Sequence, residues 1–431
     1  MNHAGRDWIT QVPEHWKVAK LRHLSTIHRG ASPRPIDDPR FFDDAGEYGW
    51  VRISDVTASH KYLLTTEQRL SELGSSLSVK LEPGRLVLSI AATVGSPILT
   101  AIKCCIHDGF VTFDRLKLNP EYLYYILLSG VPFGGLGKLG TQLNLNTNIV
   151  GDIRVPVPPP DEQRAIANFL DCELQRLHGL VQMQARFDEL LIESRKAIVA
   201  DVVCHGTGPS RTRRASGIEW LGEIPSEWKL TPVKRLFRLI VDPAPEDHGM
   251  ELLSLYTDIG VRPRRELEAR GNRATTTDGY FRVRKGDFIF NKLLAWMGAI
   301  GLSEYDGVTS PAYDILRPIV PIVDRYYDYL FRCGICLTEF RRHSRGIMDM
   351  RLRLYFDKLG PLLMPQPSLE EQAKIVEHLD RETTKIDAIR LSVADCIEKL
   401  REYRSALISA AVTGQIDVRK YRPQEAAALC Q

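Results

Sequence analysis

The chain has 431 residues, 44% of them hydrophobic and 26% charged, enough for two or three domains that each bury a core; this excludes a chain disordered throughout. Lys plus Arg number 57 and Asp plus Glu 54, a net charge of +3. So small a surplus excludes a polycationic tail protein and leaves room for a local basic face on nucleic acid.

From the N-terminus, Met1 to Trp16 holds no apolar core of signal-peptide length. The longest uncharged stretch, Leu86–Ile102, contains Ser89, Gly95, Ser96 and Pro97. It falls short of the ~20 residues of a membrane span, so strands and turns are predicted there and no membrane partner is expected. The 8 cysteines are irregularly spaced, which reads as reduced thiols of a cytoplasmic protein.

The chain repeats itself. Trp8, Pro13 and Trp16-Lys17 are answered by Trp220, Pro225 and Trp228-Lys229, at an offset of 212. Pro156, Pro158, Glu162-Gln163, Ile166 and Leu170-Asp171 are answered by Pro365, Pro367, Glu371-Gln372, Ile375 and Leu379-Asp380, at 209. In between, Pro83–Val87 answers Lys285–Ile289 at 202, and Asp55 answers Asp258 at 203. Ordered matches with slowly drifting offsets describe one domain-sized unit present twice.

Each copy opens with short β-rich runs such as Arg85–Ile90 and Asp287–Phe290, separated by Gly and Pro turns. A helix is predicted next, over Glu121–Leu128 and Asp324–Phe340. A proline cluster follows, and then a long helix. Its apolar positions recur every seven residues, at Leu170, Leu177, Gln184, Leu191 and Ile198, and at Leu379, Ile386, Val393, Leu400 and Leu407. A second seam runs through Ile166, Leu180 and Phe187, and through Ile375, Ile389 and Tyr403. Such a period means a helix packed lengthwise on another helix. Asp161 and Ser368 stand where N-caps belong, and Gly206 and Gly414 end the patterns. Gly179, inside the first helix, costs about 1 kcal/mol relative to Ala and marks a place for a bend or a docking point.

The expected fold is therefore α+β: two duplicated mixed α/β domains separated by two long antiparallel coiled-coil helices, with pseudo-two-fold symmetry. The boundaries are residues 1–157 for the first domain and 158–206 for the first helix. A linker covers 207–217. The second domain is 218–365, its helix 366–414, and a C-terminal tail 415–431.

Catalytic patterns are missing. There is no phosphate-binding Gly-Lys loop, no His-Glu-x-x-His and no paired CxxC zinc framework. Cys333 and Cys336 form a lone CxxC that reads as two core thiols one helical turn apart. Phe133-Gly134-Gly135-Leu136-Gly137 imitates an S-adenosylmethionine-binding loop, and Ser310-Pro311-Ala312-Tyr313 imitates the tetrad with which adenine methyltransferases hold a flipped base. They lie in different copies, and Ala312 stands where a proline belongs. A self-contained adenine DNA methyltransferase is therefore the second reading, and a coiled-coil adaptor without a DNA role the third. The first is binding. Arg341, Arg342, Arg345, Arg351 and Arg353 crowd one stretch of the second copy, and Gln142, Asn144 and Asn146 lie in the matching stretch of the first. Arg forks suit phosphate and guanine, and amides suit adenine edges.

With these residues in order, the chain resembles the specificity subunits of type I DNA restriction–modification systems. The resemblance is carried by Trp16-Lys17 and Trp228-Lys229, by Pro158-Pro159-Pro160-Asp161-Glu162-Gln163 and Pro367-Ser368-Leu369-Glu370-Glu371-Gln372, and by the closing run from Tyr403 to Gly414, and it spans nearly the whole chain. It implies that the two domains are target recognition domains, each reading one half of a bipartite, asymmetric site in double-stranded DNA. It implies that the helices set the spacer and dock two modification subunits, with Glu162, Gln163, Glu371 and Gln372 as candidate docking residues. It further implies that S-adenosylmethionine belongs to the modification subunits, and ATP and Mg to a restriction subunit. This chain itself would hold no cofactor, no metal and no catalytic residue.

Overall fold

The chain folds as two units, Met1–Gln184 with Asp395–Gln431, and Ala185–Ala394. The computed structural model describes residues 8–9, 12–134, 145–208, 212–245, 249–257, 259–266, 279–346 and 352–421. The first unit begins with β1 (Lys17–Lys20), α1 (Leu21–Leu24), β2 (Thr26–Arg29), β3 (Tyr48–Val51), α2 (Ile53–Ala58), β4 (Tyr62–Leu63), β5 (Gln68–Leu70) and α3 (Glu72–Ser76). It continues with β6 (Val79–Leu81), β7 (Leu86–Ser89), β8 (Pro97–Thr100), β9 (Cys104–Ile106), β10 (Phe110–Asp114), α4 (Pro120–Leu128), α5 (Thr147–Asp152), β11 (Arg154–Val157) and the long α6 (Pro160–His205). The second unit holds β12 (Arg213–Ala215), β13 (Glu223–Pro225), β14 (Lys229–Pro232), α7 (Val233–Leu236), β15 (Phe237–Ile240), β16 (Leu253–Tyr256), β17 (Gly260–Pro263) and β18 (Phe281–Val283). Then come β19 (Phe288–Asn291), β20 (Ile300–Leu302), β21 (Gly307–Thr309), β22 (Tyr313–Pro318), α8 (Asp324–Arg332), α9 (Gly334–His343), α10 (Phe356–Leu359), β23 (Leu363–Gln366) and the long α11 (Leu369–Val412). The uncharged stretch at Leu86–Ile102 is strands β7 and β8, as predicted. No helix among the described residues is long and apolar enough to cross a membrane.

Both long helices form where the seven-residue period predicts them. Gly206 and Gly414 end them in the left-handed region, at φ 78° and 75°. Ser368 caps α11, its Oγ accepting from the Glu371 amide at 3.2 Å. Asp161 does not cap α6. Pro160 takes the first helical position, where its missing N–H costs nothing, and Asp161 falls in the first turn. The helix continues through Gly179, where an added Cβ would meet nothing within 4 Å.

The first seam is the buried one: Leu170, Leu177, Leu379, Ile386, Val393 and Leu407 are all inside. In the first unit Ile166, Leu170 and Leu177 share a core with Leu407, Ile408, Ala411 and Val412. In the second, Val199, Val202 and Val203 share one with Ile375 and Leu379. The start of one helix meets the end of the other, so the pair is antiparallel within each unit. Asp188–Arg390 at 2.8 Å and Asp387–Arg195 at 3.4 Å add ion pairs in the second unit. The second seam is buried only at Ile166 and Ile375, while Leu180, Phe187, Ile389 and Tyr403 are exposed. Two helices share one seam; a second seam needs a third body, and only the helix starts have one, in the adjoining sheet domain.

Strand pairing makes the duplication concrete. β1 pairs antiparallel with β11, Lys17 facing Val157, and β14 pairs with β23, Lys229 facing Gln366. The offsets of 212 and 209 thus meet across one ladder. The first unit's main sheet has the order β2-β10-β7-β8-β4, and the second's has β15-β22-β19-β20. Registers match: Phe113 faces Ile27 as Leu316 faces Leu239, and Val87 faces Ile98 as Ile289 faces Gly301. The predicted helix over Asp324–Phe340 is broken in two at Cys333, which adopts an extended backbone (ψ 145°). Gly334 beside it is a poor helix former. Cys333 and Cys336 are both buried, but Cys333 stands at the cap of α9 rather than one turn along a helix.

One ion pair keeps its place and reverses its sign. Arg85 and Asp114 lie 3.6 Å apart and half-exposed, while at the corresponding positions Asp287, fully buried, meets Arg317 at 2.6 Å. Removing the partner of a buried charge costs about 3–5 kcal/mol, whereas an exposed pair contributes about 0–1 kcal/mol. Arg317→Ala is therefore expected to lower unfolding free energy by several times as much as Asp114→Ala, measured by urea denaturation of the full chain.

Candidate nucleic-acid interface

At one end of the second unit, several basic side chains meet. Strand β19 ends at Asn291, whose Oδ1 accepts from the Leu293 amide and turns the chain. Lys292 then sends its ammonium to the Pro311 carbonyl at 3.0 Å and toward Asp314 at 3.3 Å. Burial pushes the Asp314 carboxyl above its ordinary value, and Lys292 opposes the shift. The Lys292 carbonyl accepts from the Leu354 amide at 2.9 Å. This seats the base of a hairpin in which Arg345 and Arg353 exchange backbone hydrogen bonds, both 2.9 Å. Nearby, the Arg341 guanidinium lies over the Trp296 ring, 5.1 Å from its centroid.

The structure therefore brings together Arg341, Arg345 and Arg353, with Lys292 and Trp296 added. The sequence did not single out the latter two, which lie some fifty residues earlier in the chain. Arg345 and Arg353 are exposed, and Arg353 donates to the Tyr355 hydroxyl at 3.3 Å. Arg342 turns elsewhere, pairing with Glu219 at 3.1 Å and Glu339 at 3.5 Å, and these carboxylates raise its already high pKa. Arg351 lies outside the described residues.

In the first unit, Gln142 and Asn144 also lie outside the described residues. Asn146 is the N-cap of α5, its side chain accepting from the Ile149 amide at 2.9 Å. Its carbonyl oxygen is thus committed to the helix, which leaves the NH₂ for any outside partner. Of the two sequence mimics, Gly135, Leu136 and Gly137 lie outside the described residues. Phe133 packs at 3.0 Å from the position of a Cβ on Gly95, a left-handed glycine at φ 88°. Ser310–Tyr313 is a turn closed by the Tyr313 amide on the Ser310 carbonyl at 3.0 Å.

Of the four candidate docking residues, Glu162, Gln163 and Gln372 bond within their own units. The Gln163 side chain, 3% exposed, accepts from the Asn119 amide at 2.7 Å and donates to the Pro158 carbonyl at 2.8 Å. Gln372, 1% exposed, does the same for the Val323 amide at 2.8 Å and the Pro367 carbonyl at 2.9 Å. Glu162 takes the Trp16 indole N–H at 2.8 Å and faces His15 at 2.9 Å. Glu371 is buried. Gln163 and Gln372 are thus spent inside their own units, because a buried backbone N–H at the start of α4 or α8 must find an acceptor. Two tyrosines complete the clamp. Tyr122 donates to the Val412 carbonyl at 3.3 Å, and Tyr326 to the Val203 carbonyl at 3.0 Å, each satisfying a carbonyl at the end of the other long helix. The correspondence has an exception: the Trp228 indole N–H is buried without an acceptor among the described residues.

Comparison with known proteins adds a family. Residues 13–176 match the Type I restriction modification DNA specificity domain. The chain is 22% identical to a putative type I restriction enzyme MjaX specificity subunit of Methanocaldococcus jannaschii, over 95% of this chain and 96% of that one. It is 18% identical to the type I restriction enzyme EcoDI specificity subunit of Escherichia coli, over 94% of this chain and 90% of that one. Among solved structures, its fold is similar to a chain described in work on assembly and conformational transition of the type I R-M system (TM-score 0.70, 15% identity, 94% of this chain and 100% of that one). It is also similar to the HsdS subunit from Thermoanaerobacter tengcongensis (TM-score 0.56, 17% identity, 94% and 98%).

The clamp predicts a stability effect. Gln372→Ala leaves a buried donor and a buried acceptor without partners, at about 1–3 kcal/mol each. Urea unfolding of the full chain is expected to register that loss, whereas the same truncation at exposed Glu370 is expected to leave stability within about 0.5 kcal/mol.

Proposed function

We propose that this chain is a specificity subunit of a type I restriction–modification system and reads one half of a bipartite, asymmetric site on double-stranded DNA with each of its units. One observation carries the reading: the two units share the strand registers and Gln–Tyr clamps described above, yet the matching stretches 140–148 and 341–353 differ in polar sequence, amides in one and arginines in the other. The same frame with different loops is what a reader of two different half-sites needs. In the second unit, exposed Arg345 and Arg353 supply phosphate contacts, and Arg forks can reach guanine edges. In the first, the Asn146 NH₂ supplies a base-reading donor, with Gln142 and Asn144 close to it in sequence.

The long helices set the spacer and dock two modification subunits. Exposed apolar side chains support docking: Leu180 and Met183 in the first unit, Phe187, Leu190 and Leu391 in the second. Such side chains on a helix are costly to leave in water and mark contact surfaces. The chain carries no chemistry of its own. S-adenosylmethionine sits on the modification subunits, ATP and Mg on a restriction subunit, and the assembly works in the cytoplasm.

Two experiments test this in the reconstituted complex. Arg345→Ala and Arg353→Ala are each expected to weaken specific DNA binding. Each is also expected to reduce the slope of log affinity against log salt by about 0.9 for every phosphate that the variant no longer neutralises. Wild-type affinity and slope for both variants would remove the hairpin from the interface. Inserting the same number of helical turns into α6 and α11 is expected to lengthen the spacer between methylated half-sites while leaving the half-site bases unchanged. New half-site bases would contradict the assignment of spacing to the helices.

A further inference from the structure

The two units differ at one sheet edge. In the first, β4 lies parallel on the outer edge of β8, where the Leu99 amide donates to the Lys61 carbonyl at 3.0 Å and the Ala101 amide to the Leu63 carbonyl at 3.1 Å. Neighbouring helices hold it in place: the Tyr124 hydroxyl donates to the His60 carbonyl at 3.2 Å, Tyr62 donates to Glu121, and the Lys61 ammonium lies 2.6 Å from Asp171. The strand reaches that edge through residues 52–67, which leave β3 and return at β5.

Among the described residues the second unit has no such excursion. Its corresponding strands, β16 and β17, pair directly, Tyr256 facing Gly260, and among the described residues its main sheet ends at β20. Where β4 would lie there is a cleft of about 420 Å³. Its wall is made by the counterparts of the β4 seat: Leu302 for Leu99, Glu304 for Ala101, Arg325 for Glu121, Asp328 for Tyr124 and Tyr329 for Tyr125. The edge amide of Leu302 is held by the Asp328 carboxylate at 3.1 Å, in place of a strand carbonyl. The Glu304 amide has no partner among the described residues.

We propose that this cleft accepts an extended, acidic segment of a partner polypeptide as an added parallel strand on β20. The main-chain geometry is the one the first unit already uses for its own β4. The charge selects acid over base. Where the first unit presents Glu121 to a lysine, the second presents Arg325, which already satisfies Asp380 at 2.6 Å. Arg195, Arg262 and Arg332 also line the cleft but are paired with Asp387, Glu304 and Asp328 at 3.4, 4.0 and 3.9 Å, so exposed Lys196, which has no ion pair among the described residues, is the base left to face an incoming acid. Burial raises the Asp328 carboxyl, so an incoming carbonyl would take over the Leu302 amide from a group poorly suited to stay charged there. Main-chain pairing supplies the affinity and alternate side chains the selectivity.

The test uses the full chain and the peptide acetyl-Ser-His-Glu-Tyr-Leu-Leu-amide, the sequence of residues 59–64 with Lys61→Glu. Binding is expected to slow hydrogen exchange at the Leu302 and Glu304 amides by about tenfold. The lysine-containing parent peptide and the Lys196→Glu protein are each expected to bind about tenfold more weakly, with Lys196→Gln intermediate. Neither inorganic phosphate nor a single-stranded oligonucleotide is expected to displace the peptide. The proposal is overturned if the peptide fails to bind at millimolar concentration, if protection falls elsewhere, if the lysine peptide binds equally well, or if phosphate or oligonucleotide competes.

Discussion

Each unit depends on a buried amide side chain. Gln163 and Gln372 reach from the first turn of a long helix into a sheet domain, cap the N–H of a short helix, and return a hydrogen bond to the proline segment before their own helix. Tyr122 and Tyr326 then tie that short helix to the end of the opposite long helix. Both links join parts that are free to move independently unless bonded, and both are buried, so an unmade bond is expensive. The helices are thereby registered to the sheets as well as to each other.

The frame was legible in the sequence because its signals are local or periodic. The seven-residue seam, Ser368, the terminal glycines and the drifting offsets all depend on short-range rules, and the structure places them as read. What was not legible depends on distant partners. Gln163 meets an amide 44 residues earlier and Gln372 one 49 residues earlier. A Glu-Gln pair opening a helix reads equally well as surface. The second seam misled for a related reason: Ile389 and Tyr403 have the right period, but nothing among the described residues covers them. Of the arginine cluster, the stretch was evident, but Arg342 is diverted to Glu219, which lies far away in sequence.

Division of labour between frame and loops accounts for how such a protein can change what it reads. Loops at the ends of β19 and β22, and the hairpin based on Arg345 and Arg353, contribute little to the cores, which are built from strands and from Tyr326, Tyr327, Phe331 and Phe340. Substitution in the loops therefore leaves the fold's main sources of stability untouched. The same logic allows larger departures, such as the excursion through α2 and β4 of the first unit, which the described residues of the second lack.

A protein made of two near-copies faces a hazard while it folds, because either copy's strands fit the other's partners. The reversed ion pair bears on that hazard. Were β7 to pair with β22, Arg85 would be set beside Arg317; were β19 to pair with β10, Asp287 would be set beside Asp114. Each exchanged ladder would bury or abut like charges, whereas each native ladder joins opposites. The inverted polarity thus penalises those two exchanged pairings and favours the native ladders.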